Sequence, residues 1–290
     1  MASRQGPTLR QRKLGADLKR LREAAGIGQK EAAAELDAQQ SKMSKIETGR
    51  LRLRRLELQA LLDLYGVKDE RVRTDLITLL RESGQRQYFP EYNLGVNLRE
   101  IVELEAECTR IEAFSAMHLT GLLQIPEYAH AMIYGFDPWR TPENVQHYVD
   151  LRMARQKIFK QEKPPQVVCV LDEGAIRRPV GGPAVMRKQL GHLLELTNES
   201  YLTIQVVPFE QAVYAGLHGA FRTIINDDAT TLDVVEVSTR AKALYMQDAA
   251  DVEVYRKLFD DIRASALSSR QTADLIRRVM KDFEGADESR

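Results

Sequence analysis

Cysteine is nearly missing from this chain: there are two in 290 residues, Cys108 and Cys169, and neither has a CxxC partner. Two cysteines so far apart build no disulfide framework and no zinc knuckle. Both sit in apolar patterns, so they are expected to be buried free thiols of a reducing cytosol. Histidine is scarce too, five residues (His118, His130, His147, His192, His218) with no HxH or HxxxH spacing. A metal centre needs converging ligands, so none is expected. No GxxxxGK(S/T), GxGxxG or GxSxG occurs, which removes the common phosphate cradles and the nucleophile elbow. The longest aliphatic run, around Val167 to Leu171, falls far short of the roughly 20 apolar residues that span a bilayer. The basic start, MASRQGPTLRQRKLG, lacks the apolar stretch of a signal peptide. The expectation is a cytoplasmic protein with no cofactor, no metal and no membrane partner.

Net charge is also absent, with 42 Lys+Arg against 42 Asp+Glu. The balance hides an asymmetry. Residues 1–66 hold 14 Lys+Arg and 8 Asp+Glu, whereas the remainder holds 28 and 34. A basic segment joined to an acidic one suits a nucleic-acid binder whose second domain stays off the DNA.

Within the basic segment, Gly28 to Arg50 (GQKEAAAELDAQQSKMSKIETGR) reads as two short helices joined by a tight turn. Ala32, Ala33 and Leu36 share one face of the first; Met43 and Ile46 share one face of the second, helix 39–48. Those five residues can close into a miniature core, and a side chain larger than Ala33 would wedge the helices apart. The outer face of the second helix then presents amides, hydroxyls and amines, the groups that read base edges in a major groove. Gln39, Gln40, Ser41, Lys42, Ser44 and Lys45 are the candidate base readers. Arg50, Arg52 and Arg54 follow in a run of four arginines in six residues and are the candidate phosphate contacts. Gln29 joins them, because it opens a helix, where free N–H groups and the dipole favour an anion. Leu14, Leu18 and Leu21 predict a preceding helix ending at Gly26. Leu56, Ala60, Leu61 and Leu64 predict a fourth that ends at Gly66, and Val72, Leu76, Leu79 and Leu80 a fifth.

Two stretches, Leu21-Arg22-Glu23-Ala24-Ala25-Gly26-Ile27-Gly28-Gln29 and Ser41-Lys42-Met43-Ser44-Lys45-Ile46-Glu47-Thr48-Gly49-Arg50, carry a resemblance. Over roughly residues 12–66 the chain resembles the phage-repressor-like (XRE-type) helix-turn-helix family. The resemblance implies a sequence-specific regulator of transcription that binds double-stranded DNA. Because reading helices bind palindromes in pairs, a homodimer is expected. One departure stands in the turn, where such domains usually have glycine and this chain has Asp37, a residue that tolerates left-handed backbone better than most.

Residues 84–96, with Pro90 and several aromatics, are expected to be a linker between a domain at 1–83 and another at 97–283. The second domain begins with helical spacing at Ile101, Leu104, Cys108 and Ile111. Val167 to Leu171 reads as a strand buried on both faces. Pro183 starts a helix through Met186, Leu190 and Leu193. Leu202, Ile204 and Val206 alternate as a strand, and Phe221–Ile225 with Val234–Val237 read as a hairpin. Two helices follow, through Val252, Phe259 and Ile262 and through Ile276, Val279 and Phe283, before an acidic tail, 284–290, expected to be disordered. The fold class is therefore an α-helical N-terminal helix-turn-helix domain of about five helices plus a C-terminal mixed α/β (α+β) domain of about four strands.

The segments Leu122-Leu123-Gln124-Ile125-Pro126-Glu127-Tyr128-Ala129, Arg152-Met153-Ala154-Arg155-Gln156, Leu171 to Pro183 and Val206-Val207-Pro208-Phe209 carry a second resemblance. Over about residues 97–265 the chain resembles the C-terminal domain of actinobacterial antitoxin-like transcriptional regulators, with Thr120-Gly121 where Pro-Gly is usual. That resemblance implies a regulator paired with a small cognate protein encoded nearby, and no catalytic residue. Asp172 and Glu173 follow a buried strand, where active-site carboxylates lie, but pairing with Arg177, Arg178 or Arg155 is the favoured role, so no enzyme is expected. Tyr214 and His218 lie in a loop that suits either a ligand pocket or plain surface. Two functions stay open: a DNA-reading regulator whose second domain binds a partner or ligand, and an antitoxin-like module that sequesters a small protein and uses DNA binding for autoregulation.

Overall fold

The computed structural model describes residues 7–83, 96–226, 233–239 and 243–287. It divides into two compact units, one carrying the chain up to Leu104, the other Glu105–Ile225 and Asp233 onward. Residues 84–95 of the expected linker lie outside the described residues.

The first unit contains α1 (Leu9–Ala24), α2 (Gln29–Glu35), α3 (Gln40–Glu47), α4 (Arg55–Leu64) and α5 (Glu70–Glu82). Thr8 starts α1 with a reciprocal capping box: its hydroxyl accepts from the Gln11 N–H at 3.1 Å, and Gln11 Oε1 accepts from the Thr8 N–H at 3.0 Å. Gly26 and Gly66 end α1 and α4 with φ of 71° and 68°, the left-handed stop that β-carbon-bearing residues resist. The core gathers Leu14, Leu18, Ala32, Ala33, Met43, Ile46, Leu58, Leu61, Leu62, Leu76, Leu79 and Leu80. The inward stripe of α4 differs from the expected one. Leu58, Leu61, Leu62 and Tyr65 are buried, at i, i+3, i+4, i+7 spacing, while Leu56 is 79% exposed.

The helix α6 (Val96–Glu107) leads into a six-stranded sheet: β1 (Arg110–Ser115), β2 (Gln166–Asp172), β3 (Leu202–Val207), β4 (Phe221–Ile225), β5 (Val234–Ser238) and β6 (Ala243–Met246), in the order β3-β2-β1-β4-β5-β6. β1, β2 and β3 are parallel, with Ala113 opposite Cys169 and Cys169 opposite Ile204; β4, β5 and β6 continue the sheet antiparallel. Parallel strands need crossovers. Here α7 (Pro126–Phe136) and α8 (Pro142–Arg155) join β1 to β2, and α9 (Glu173–Arg177) and α10 (Pro183–Leu196) join β2 to β3. Helices α11 (Ala249–Ala264) and α12 (Ser269–Asp287) close the unit. Val167 to Leu171 are all buried, as a strand covered on both faces requires. Val168 and Val170 pack with Phe114, Val207, Phe221, Phe259 and Ile262.

The sheet has six strands where about four were expected. β1 was hidden because Ile111 continues the helical spacing of Ile101, Leu104 and Cys108 by coincidence: α6 stops at Glu107 and the chain turns straight into the central strand. β6 is a short, half-exposed edge strand, held by backbone pairing to β5 rather than by an apolar pattern. The last helix extends through Glu284 to Asp287, into the segment expected to be tail, and residues 288–290 lie outside the described residues. Cys108 and Cys169 are buried free thiols, each pushed up to about 12 mainly by burial. No helix among the described residues is long and apolar enough to cross a membrane.

Candidate nucleic-acid interface

The turn between α2 and α3 is built around Asp37, which adopts φ 47°. Its N–H donates to Ala34 O at 3.0 Å, and the Ala38 N–H donates to Ala33 O at 2.9 Å. The chain so reversed lays α3 against α2, with Ala32, Ala33, Met43 and Ile46 buried and Leu36 partly buried beside them.

The far end of α3 is set by close backbone contact with α1. A β-carbon on Gly15 would lie 2.6 Å from the carbonyl oxygens of Ile46 and Glu47, and one on Gly49 would lie 2.9 Å from the backbone of Gln11 and Arg12. Any larger residue at either position forces the two helices apart.

A buried ion pair locks the same junction. Glu47 Oε1 accepts from Arg22 Nε at 2.6 Å and Glu47 Oε2 from Arg22 Nη2 at 3.2 Å; Arg22 Nη1 also donates to Ile27 O at 2.8 Å. The Glu47 bond raises the Arg22 pKa further still. Glu47 Oε2 takes a third hydrogen bond, from Gln29 Nε2 at 2.7 Å, and Gln29 Oε1 accepts from Gln40 Nε2 at 3.3 Å. A chain of contacts therefore runs from the core (Arg22, Glu47) through Gln29 to Gln40 on the outer face. Sequence reasoning missed Arg22 and Glu47. The signal was present: Arg22 lies four residues after Leu18 and Glu47 four after Met43, so both charges fall on inward stripes and must find partners.

The candidate readers are placed as follows. Gln40 opens α3, with Gln39 as its N-cap. Gln39, Gln40, Ser41, Ser44 and Lys45 are exposed, whereas Lys42 is half-buried. Its ammonium donates to Glu57 Oε1 at 2.6 Å, and Glu57 Oε2 accepts from the Arg54 N–H at 2.8 Å at the start of α4. Burial opposes ionisation of Glu57, but Lys42 and the Arg54 N–H outweigh it and hold the carboxyl below its usual range. Arg50, Arg52 and Arg54 are exposed; Gln29 is half-buried in the contact chain above. Arg52, Arg54, Arg55 and Arg81 also rim an open groove of about 660 Å³ floored by Leu53, Ile77 and Leu80. The four exposed candidates of α3 itself (Gln40, Ser41, Ser44 and Lys45), with Gln39 at its start, form one polar ridge beside a strongly cationic loop.

Asp172 and Glu173 of the second unit are both engaged by hydrogen bonds. Asp172 Oδ1 accepts from the Gly174 N–H at 2.7 Å and Asp172 Oδ2 from the Tyr214 hydroxyl at 2.6 Å. Glu173 takes Arg177 Nε at 2.6 Å and the Phe209 N–H at 2.8 Å. Both fix loops at the carboxyl ends of the parallel strands. Arg177, one of the expected partners, is thus observed; Arg155 instead meets Glu105. Tyr214 is tied to Asp172, while His218 ends a short 3₁₀ turn, Ala215–His218. Among the described residues, no three His, Cys, Asp or Glu side chains come together to hold a metal ion.

The fold and the exposed ridge define a DNA-binding regulator of the helix-turn-helix class. A family described as "Helix-turn-helix domain" matches residues 13–74. The larger part of the chain, residues 98–278, matches the family described as "Domain of unknown function (DUF5753)", and the protein belongs to that family. No curated protein and no solved structure matches the chain.

Proposed function

We propose that the protein is a sequence-specific transcriptional regulator that reads the major groove with α3. The observation that carries this reading is the two-sided character of that helix: Met43 and Ile46 are buried while Gln40, Ser41, Ser44 and Lys45 are exposed. Gln39, Gln40, Ser41, Ser44 and Lys45 are assigned to base edges. Lys42, engaged by Glu57, is the reader this geometry favours least. Gln29, Arg50, Arg52 and Arg54 are assigned to phosphates, with Gln29 also bracing Gln40. The domain is of the XRE type on this reading, and binds its half-sites as a homodimer, about 34 Å apart; sedimentation at working concentration measures that state.

Binding to cognate and scrambled duplexes tests the assignments. Lys45→Ala and Gln40→Ala are expected to lose discrimination, each by about 1–3 kcal/mol. Arg50→Ala is expected to weaken both duplexes alike and to lower the salt slope by about 0.9. Equal effects of all three changes on both duplexes would sink the roles.

The second unit is proposed to receive a small cognate protein, in keeping with the antitoxin-like resemblance. What supports this is one loop that holds three exposed apolar side chains, Phe209, Val213 and Leu217, at 57%, 80% and 60% exposure. Sequestration of that protein, with DNA binding serving autoregulation, is the alternative emphasis. Adding the product of the neighbouring reading frame should change DNA affinity; a product that neither co-purifies nor alters affinity counts against both versions.

A further inference from the structure

Four ionisable side chains of the second unit, Glu105, Arg155, Arg222 and Glu236, form a largely internal network. Glu105, 1% exposed at the end of α6, accepts from Arg155 Nε at 2.8 Å and Nη2 at 2.6 Å, and also from Arg222 Nη1. Arg222 bonds Glu236 as well, its cross-strand neighbour on β5. Arg155 and Arg222 thus spend their charge on Glu105 and Glu236. Burial would raise the Glu105 carboxyl, but the two guanidiniums outweigh it and hold it below its usual range.

Arg152 stands beside this network without bonding to it. It lies one turn before Arg155 on α8, yet its guanidinium makes a single hydrogen bond among the described residues, from Nη1 to the neutral Gln124 Oε1 at 2.7 Å. Counted with it, Arg152 makes three guanidiniums to two carboxylates, and Arg152 itself forms no ion pair among the described residues, in a setting where unpaired charge is costly. Burial, reinforced by Arg155 and Arg222, brings the Arg152 pKa down to about 10. Arg178 lies within electrostatic range of the same Tyr128 hydroxyl as Arg152 and makes no side-chain ion pair among the described residues.

The surroundings of Arg152 are rigid. Its side chain crosses Gly121, where a β-carbon would sit 3.2 Å from Nε. The loop that holds Gly121 is clamped by three side-chain amides. Gln124 Nε2 donates to Leu119 O at 2.6 Å; Gln156 Nε2 donates to Gly121 O at 3.1 Å and Gln124 O at 2.7 Å. Gln189 Nε2 donates to Leu123 O at 2.7 Å while its Oε1 accepts from the Ile125 N–H at 2.8 Å. Gln124 and Gln189 are buried. So much fixed polar structure spent on one loop, with an unmatched cation across it, is the form of a preorganised site rather than of a surface turn.

We propose that Arg152 anchors an oxyanion site in the second unit, and that this site takes the carboxylate or phosphate group of a small ligand. The planar guanidinium fork matches two oxygens of such a group, and the anion would bring the network and Arg152 together to neutrality. The inference does not rest on the DNA-reading assignment, and its primary test uses no DNA.

The test is thermal unfolding of the full chain at constant ionic strength, in sodium chloride, inorganic phosphate or acetate. An anion at ten times its Kd stabilises by RT ln(1 + [L]/Kd), which for a unit of this size raises Tm by about 3–5 °C. The wild-type protein is expected to show that rise in phosphate or acetate over chloride, and the larger of the two arms names the ligand group. Arg152→Gln should remove the rise, and Arg152→Lys, which keeps the charge without the fork, should retain part of it. Gly121→Ala provides a second route, because its β-carbon, 3.2 Å from Nε, pushes the guanidinium by a few tenths of an ångström without discharging it, and should also diminish the rise. No rise in the wild type with either anion, or equal rises in wild type and Arg152→Gln, overturns the proposal. If Arg152→Gln fails to fold, the wild-type and Gly121→Ala titrations decide it alone.

Discussion

In the first unit one buried carboxylate meets one buried guanidinium: Glu47 and Arg22 form a neutral pair, and the spare capacity of Glu47 is used to hold Gln29. In the second unit a buried carboxylate is shared between two guanidiniums, and a third is left with an amide for company. The same chemistry therefore does different work. A matched pair between α1 and α3 fixes how α3 is set against α1, and with it where the exposed face of α3 points. A network with a surplus charge beside it leaves an electrostatic demand that a ligand can meet. Buried ion pairs contribute little net stability but make their partners intolerant of loss, so substitutions at the two sites separate the roles.

The largest effect is expected at Glu105. Glu105→Gln leaves Arg155 and Arg222 inside the unit with one carboxylate fewer, and stability should fall by about 3–5 kcal/mol, read as a lower urea midpoint. The pH dependence has a definite sign. The Glu105 pKa is depressed by folding, so its contribution is complete above the ordinary carboxylate range and is lost as pH falls through the lowered folded value. The wild-type protein should therefore lose stability on acidification below about pH 4.5, and Glu105→Gln should flatten that limb. An acid limb identical in both proteins would show that the network does not control it.

The Arg22–Glu47 pair should behave differently when both partners go. Arg22→Met or Glu47→Leu alone strands a buried charge, and each should destabilise by about 3 kcal/mol. The double variant should lose less than either single one, because it leaves no charge behind. Its DNA binding is the sharper readout. If the pair is a positioning device, the double variant folds but discriminates poorly between cognate and scrambled duplexes, since Gln29 has lost its anchor. Full discrimination in a stable double variant would reduce the pair to packing.

The contrast also explains how much of each unit is legible in the sequence. The first unit was legible because its signals are local. Ala33, Met43 and Ile46 at helical spacing, with glycines at the helix ends, dictate a two-helix motif within a few dozen residues, and the exposed polar face of α3 follows by subtraction. The pairing of Arg22 with Glu47 was less visible, since its partners lie far apart in sequence, but two charges on inward stripes pointed to it. In the second unit Val167 to Leu171 announced a covered strand, while β1 was masked by a helical spacing that ran on by accident. The network was out of reach altogether: Glu105, Arg155 and Arg222 are brought together by the pairing of β1 with β4 and by the return of α8, and no local pattern encodes that. For the same reason the bond from the Lys42 ammonium to Glu57 on the next helix was not visible in the sequence.

The smallest effect is expected in the turn of the motif. Asp37, at φ 47°, is the only non-glycine residue with positive φ among the described residues. A β-carbon there costs about 1–2 kcal/mol in general, less for Asp. Asp37→Gly removes that strain and keeps both backbone hydrogen bonds of the turn, but it also gives the unfolded chain more freedom, which offsets about 0.5–1 kcal/mol. The net change should be a gain of a few tenths of a kcal/mol, read as a small rise in urea midpoint with unchanged duplex discrimination. Asp37→Ala brings the strain without the tolerance of Asp, and should lower stability by about 1 kcal/mol. An alanine variant as stable as the wild type would mean that the turn is imposed by packing of α2 on α3, with the residue at its tip indifferent. A loss confined to alanine would mean that Asp37 itself helps to set the angle at which α3 leaves the unit.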